Sequence, residues 1–191
     1  CRELRNVEAV YVVSVNNECK ELLFVLGSRA ADIPVHCVDL RGGTAVLFSY
    51  KMGEEQTATC RLAAGIQGYI YEPGAALQKA GCTNSLSERL GLLKLHPNSQ
   101  LYTSDSLLSD FPGRVFKVVE VLGFSKADLK KVQSLQKANI TVRNFPESVP
   151  QLRKHLKLAD GGDTYIFATT LSQGYKALLL CRKADTKKSL D

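Results

Sequence analysis

No apolar run in this 191-residue chain reaches the ~18 residues that a membrane-spanning helix needs, which excludes a helical transmembrane protein. No two of its six cysteines (Cys1, Cys19, Cys37, Cys60, Cys82 and Cys181) form a C-x-x-C pair, so neither a zinc ribbon nor a thioredoxin-type motif is supported. The three histidines, His36, His96 and His155, are scattered without metal-ligand spacing, and no metal site is expected. No Walker loop is present, and sequence order supports no Ser/His/Asp or Cys/His set. There is no internal repeat and no low-complexity segment. What is present is globular: 45% hydrophobic and 23% charged residues, in a chain long enough for one ordinary domain or two small ones. Such a chain buries a core without disulfide staples.

The formal charge of +6 is unevenly placed. Cys1 to Gly113 carries 10 Lys+Arg against 12 Asp+Glu, whereas Arg114 to Asp191 carries 15 against 7. All the excess basicity therefore lies in the last part of the chain. A basic module beside a near-neutral one is the electrostatic footprint expected for a polyanion partner. The alternative is a solvated basic face that only aids solubility. The widely spaced cysteines, several in apolar strand-like runs, point to reduced thiols in a cytoplasmic protein. No signal peptide opens the chain. Cys1-Arg2-Glu3-Leu4-Arg5 reads as the tail of a helix, and the chain is expected to be a fragment.

Periodicity divides the chain into an α/β pattern. Ala9–Val15 (AVYVVSV) reads as a buried strand. Asn16 or Asn17 can cap a helix over Glu18–Leu26. Strands are expected at Val35–Leu40 and Ala45–Tyr50, joined by a turn at Arg41-Gly42-Gly43-Thr44, with a further strand at Ala58–Leu62. Strand–helix–strand with such apolar strands implies part of a parallel sheet. Tyr69–Pro73 is a short strand, Ala75–Ala80 a helix ended by Gly81, and Ser87–Leu93 a second helix with a Ser85/Glu88 capping-box spacing. Leu101–Ser104 and Asp110–Gly113 read as an irregular linker.

From Arg114 the order is β-α-β-α-β-β. The strands are Val115–Leu122, Asn139–Val142, Tyr165–Thr170 and Lys176–Cys181, and the helices are Lys126–Lys137 and Val149–Lys157. The expected domains are thus 1–68, a connecting region 69–113, and a basic module 114–191.

Several motifs invite a functional reading. Asp39 before Gly42-Gly43 resembles the start of a cofactor loop, but the glycines lead into the strand-like AVLFSY, which favours a hairpin turn. Glu72-Pro73 places a carboxylate at a helix start, where it could hold a ribose or a metal or simply suit the helix dipole. The basic helices carry the clearest signal. Arg153, Lys154 and Lys157 lie within about a turn and a half. Arg143 and Asn144 leave the preceding strand beside that helix. Lys130 shares a face with Lys126 and Lys137. Phosphate contacts need clustered cations of this kind. A lysine-rich solvent face is the competing reading. Aromatic interleaving is thin: Phe145, Tyr165 and Phe167 are available, with Phe167 expected in the core.

The runs VVSVNNECKELL (12–23), YEPGAALQKAG (71–81), LYTSD (101–105) and FPGRVF (111–116) resemble the second half of a group of bacterial class I S-adenosylmethionine-dependent methyltransferases. ANITVRNFPESVPQLRKHLKLADGGDTYIFATTL (138–171) resembles the C-terminal THUMP-like domain those proteins carry. The resemblance implies a partial Rossmann-like methyltransferase sheet before about Gly68, a THUMP-like module at the end, and RNA methylation as the activity. The family's glycine loop and catalytic motif have no matching positions here. No catalytic residue is therefore assigned, and this chain alone is expected neither to bind S-adenosylmethionine well nor to catalyse.

Three expectations follow. The first is part of an RNA methyltransferase, with Arg143, Asn144, Arg153, Lys154, Lys157 and Lys130 contacting RNA. The second is a non-catalytic RNA- or protein-binding module. The third is self-association through an exposed sheet edge.

Overall fold

The computed structural model describes residues 4–27 and 32–186. The helix tail expected at Cys1–Arg5 falls mostly outside the described residues, as does the end of the polar tail expected from Ala184. The chain divides into two units, Cys1–Arg61 with Pro73–Leu92, and Leu62–Glu72 with Leu93–Asp191.

The first unit holds strands β1 (Val7–Val15), β2 (Glu18–Leu26), β3 (Pro34–Arg41) and β4 (Thr44–Lys51), with α1 (Glu54–Thr57) following β4. Their order in the sheet is β2-β1-β3-β4. Only β1 and β3 run parallel; β1/β2 and β3/β4 are antiparallel pairs.

The segment Glu18–Leu26, expected as a helix, is therefore a strand. The cause lies in the two residues before it. Asn16 and Asn17 both take left-handed backbone (φ 48° and 65°), which turns β1 back on itself as a tight hairpin. Asparagine tolerates that conformation as well as it caps helices. Asn17 does both here: its Oδ1 accepts from the N–H of Ala75, 3.0 Å away, at the start of α2 (Ala75–Ala80).

The β3–β4 turn matches expectation, with Gly42 and Gly43 at φ 51° and 84°. No strand forms over Ala58–Leu62; Leu62 makes one isolated bridge to Lys94. The second helix, α3, spans Thr83–Leu90 rather than Ser87–Leu93. Its N-terminus is capped from a distance. The Glu55 carboxylate accepts from the N–H groups of Asn84 (2.8 Å) and Ser85 (2.9 Å), so the expected Ser85/Glu88 box is not used. Glu88 instead accepts from the hydroxyl of Thr59 at 2.7 Å.

The second unit is a seven-stranded sheet. It comprises β5 (Tyr69–Pro73), β6 (Leu93–Lys94), β7 (Tyr102–Ser104), β8 (Gly113–Leu122), β9 (Asn139–Arg143), β10 (Tyr165–Thr170) and β11 (Lys176–Lys183), in the order β6-β7-β5-β8-β11-β10-β9. Helices α4 (Lys126–Gln133) and α5 (Val149–Leu156) connect β8 to β9 and β9 to β10, giving the expected β-α-β-α-β-β order. The stretch expected to be connecting helices and a linker carries α2 and α3, and it also supplies strands β5, β6 and β7 of this sheet. Short strands of two and three residues leave little periodicity to read.

Alternation along the strands sends side chains to two cores. Ile166, Ala168, Leu178 and Leu180 meet Val132 of α4 and Leu152 and Leu156 of α5. Phe167, Leu179 and Cys181 point to the other face, where they pack with Ile70, Leu95, Leu101 and Phe116. Phe167 is fully buried, edge-on to Phe116 at 4.8 Å. No helix among the described residues is long and apolar enough to cross a membrane. None of the five described cysteines is in a disulfide.

Candidate nucleic-acid interface

Basic residues of the second unit stand on both faces of its sheet. The first group is on the helices. α4 begins at Ser125, whose hydroxyl oxygen accepts from the Asp128 N–H at 3.1 Å. α5 begins with a capping box in which Gln151 Oε1 accepts from the N–H of Ser148 at 2.8 Å. These caps fix the helices, whose apolar sides cover the core, and turn Lys126, Lys130, Lys154 and Lys157 to solvent. Lys157 ends α5 in left-handed conformation (φ 53°). Lys131 is paired with Glu120.

Arg153 is placed differently from its neighbours. Its Nη1 donates to the carbonyls of Ala138 (3.2 Å) and Leu158 (3.4 Å), and its Nη2 meets Asp160 at 2.6 Å. With 23% of its side chain exposed, it ties the end of α5 to the start of β9. The cluster read from sequence as Arg153, Lys154 and Lys157 thus contains one structural staple and two solvent-facing lysines.

The second group lies across the sheet. Val142 packs against the helix-side core, so Arg143, next along β9, points to the opposite face. There its Nη2 meets Glu72 Oε1 at 2.8 Å. Arg114, at the start of β8, donates to the other oxygen of the same carboxylate, through Nε at 2.8 Å and also through Nη2. Glu72 is 2% exposed in its side chain, while Arg114 and Arg143 are 36% and 34% exposed. The carboxylate at the end of β5, a candidate ribose or metal ligand by sequence, is therefore occupied by two guanidiniums.

Asn144 follows in left-handed conformation (φ 51°), and its carbonyl accepts from the Thr170 N–H at 3.2 Å. Beside it Phe145 stacks on Phe124 at 5.5 Å, with the Lys176 ammonium 5.9 Å from the ring centre. Tyr175, at the tip of the β10–β11 hairpin, is 72% exposed. Tyr165 packs against Phe116 at 4.9 Å rather than standing free for stacking. Arg114, Tyr175 and Lys176 were not legible as site residues. The Glu72 pairings span 42 and 71 residues of sequence, and no local signal announces them.

Gly42 and Gly43 turn into β4 rather than into a helix N-terminus. Asp39, the acidic residue before them, is 5% exposed and accepts from the Ser14 hydroxyl (2.6 Å), the Asn17 N–H (3.1 Å) and Arg41. Burial alone would raise its carboxyl, but the Ser14, Arg41 and Asn17 donors outweigh burial and hold it below the ordinary value. Among the described residues no group of three or more His, Cys, Asp and Glu could hold a metal ion.

Residues 69–112 match the family model of a ferredoxin-like domain, and residues 113–183 that of a THUMP domain-like family. The chain is similar to a crystal structure described as a "putative methyltransferase" from Porphyromonas gingivalis. The two are 40% identical with a TM-score of 0.90, over 96% of this chain and 47% of that one. This chain thus spans about half the length of that protein. No protein of curated function matches it.

Proposed function

We propose that this chain is the C-terminal, RNA-recognising part of an S-adenosylmethionine-dependent RNA methyltransferase. The observation that carries this reading is the coincidence of the THUMP-like domain with the basic part of the chain. Arg114 to Lys183 holds 13 Lys+Arg against 5 Asp+Glu, within the stretch that matches a domain class associated with RNA. The methyltransferase named in the similar structure supports the activity at the level of the longer protein. On this reading the four-stranded sheet β2-β1-β3-β4 forms part of a Rossmann-like catalytic sheet of the longer protein, and residues from Arg114 recognise substrate. Lys130, Lys154 and Lys157 on the helices, with Arg143 and Asn144 across the sheet, supply the cations and amide for phosphate and base contacts. Arg153 contributes by fixing α5. The cofactor belongs to residues outside this chain, and the protein works in the cytoplasm.

The test is binding of this chain to labelled total tRNA across a salt series, with the S-adenosylmethionine affinity measured alongside. Affinity that falls steeply with salt supports RNA recognition in this chain. Absence of binding at low salt overturns it. A second reading rests on β2, an edge strand whose Leu22, Leu23, Val25 and Leu26 are 41–58% exposed. Such an edge pairs with another chain, including a second copy of this one.

A further inference from the structure

We propose that Tyr175 and Lys176, at the tip of the β10–β11 hairpin, bind an unpaired nucleotide of single-stranded RNA, with the base stacked on the Tyr175 ring; the inference rests on the RNA-binding reading above. Tyr175 is 72% exposed, more than any other large hydrophobic side chain among the described residues. Its hydroxyl has no hydrogen-bond partner among those residues, so no polar contact accounts for the position of the ring. An exposed aromatic ring offers a flat π-face on which any base can stack.

The backbone that carries this ring is held in place. The Leu171 N–H donates to the Tyr175 carbonyl and the Gly174 N–H to the Leu171 carbonyl, both at 2.9 Å. Gly174 takes φ 84°, which a residue with a side chain adopts only under strain. The tip is also tied to chain outside the hairpin. The Ser172 N–H donates to the Leu95 carbonyl at 2.8 Å, and its hydroxyl donates to the Ala63 carbonyl at 3.2 Å. Gln173 Nε2 donates to the Ala64 carbonyl at 3.1 Å. Loop tips are ordinarily the mobile part of a fold. Here three donors outside the hairpin ladder fix the turn, and a ring on a fixed turn loses less freedom when a base settles on it.

Lys176 supplies the charge. Its ammonium lies 5.9 Å from the centre of the Phe145 ring, which is itself stacked on Phe124 at 5.5 Å. The ring face holds the cation at this end of the sheet. The ammonium pairs with no carboxylate among the described residues. Residues 139–146 and 165–177, which build this end, contain no Asp or Glu. A base stacked on an aromatic ring, with a phosphate on a nearby cation, is how proteins hold single-stranded nucleic acid. A nucleotide brings both a π-face and an anion. An apolar protein segment would meet the ring and offer nothing to the ammonium.

The probes are fluorescein-labelled oligoadenylate and labelled tRNA, each with the whole 191-residue chain. Tyr175→Ala should weaken oligoadenylate binding about 5- to 150-fold and leave the salt slope unchanged, because a ring and not a charge is lost. Tyr175→Phe should keep the parent affinity. Lys176→Gln should lower the slope by about 0.7, as loss of one phosphate contact on a single strand does. The chain contains no tryptophan, so Tyr175→Trp places a sole reporter at the tip. Its fluorescence should be quenched as oligoadenylate binds.

Parent affinity for oligoadenylate in Tyr175→Ala, or unquenched fluorescence in oligoadenylate-bound Tyr175→Trp, would overturn the site. Binding of tRNA but not of oligoadenylate by the parent would overturn the site and leave the RNA reading intact. Failure of the parent to bind either probe at low salt would overturn both. Concentration-dependent association that Tyr175→Ala abolishes, with oligoadenylate affinity unchanged, would assign the ring to a contact with a second copy and overturn the base assignment.

Discussion

Replacing Arg153 by alanine should cost stability that replacing Lys154 does not, although the two are adjacent and carry the same charge. The Arg153 bond to the Ala138 carbonyl, at 3.2 Å, reaches a residue with no exposed surface. Losing a hydrogen bond to a buried acceptor costs about 1–2 kcal/mol. The contact to the Leu158 carbonyl at 3.4 Å is long and adds less. Asp160 is 80% exposed, and the pair with it is worth between about 0 and 1 kcal/mol. The sum is about 2 kcal/mol. For a chain of 191 residues this lowers the melting temperature by about 4–8 °C. Lys154→Ala, at an exposed position without these bonds, should stay within about 0.5 kcal/mol of the parent. Differential scanning calorimetry of the two variants measures this difference. Anisotropy with labelled tRNA on the same samples should show the salt slope falling for Lys154→Ala. Equal melting temperatures for the two variants would refute the assignment of Arg153 as a staple.

Three further outcomes are expected. Asp39→Asn should flatten the acid limb of the stability curve. A carboxyl held below its ordinary 3.8 in the folded state stabilises above that value, and the contribution is lost as pH falls through the folded value. Acid titration followed by circular dichroism reports it, and an unchanged acid limb would remove Asp39 from the account. Cys181, whose thiol burial pushes up to about 12, should resist iodoacetamide at pH 8 in the folded protein, whereas exposed Cys19 is alkylated; mass spectrometry of the modified sites distinguishes them. Leu23→Lys with Val25→Lys on the β2 edge should leave melting within about 1 kcal/mol of the parent, because both positions are half exposed, and should reduce any concentration-dependent association seen by light scattering.

The basic module was legible because its elements are long and regular. Strands alternate around Phe167 and Leu179, helices α4 and α5 have serine starts and apolar spacing, and the glycine turns separate them. The first unit was harder to read, for a reason located at Asn16 and Asn17. Asparagine before an acidic residue favours a helix start, and the same residue favours a left-handed hairpin turn. Only pairing of Leu22, Leu23 and Phe24 with β1 decides between them, and that pairing is tertiary. The contacts of Glu55 with α3 and of Glu72 with Arg114 and Arg143 escaped for the same cause. A carboxylate reaching across 30 to 70 residues leaves no local spacing to find. The charge imbalance located the basic residues, but charge alone could not tell Arg153, bound to carbonyls, from Lys154, turned to water.

The most direct measurement is the affinity of this chain for tRNA from about 50 to 200 mM salt. The account predicts binding that weakens by several orders of magnitude over that range if six or more phosphates are contacted, with a linear dependence on the logarithm of salt concentration. It also predicts that Lys130→Ala, Lys154→Ala and Lys157→Ala together reduce the slope by about three. Binding that is absent at the lowest salt, or that persists with no salt dependence, contradicts RNA recognition by the basic module.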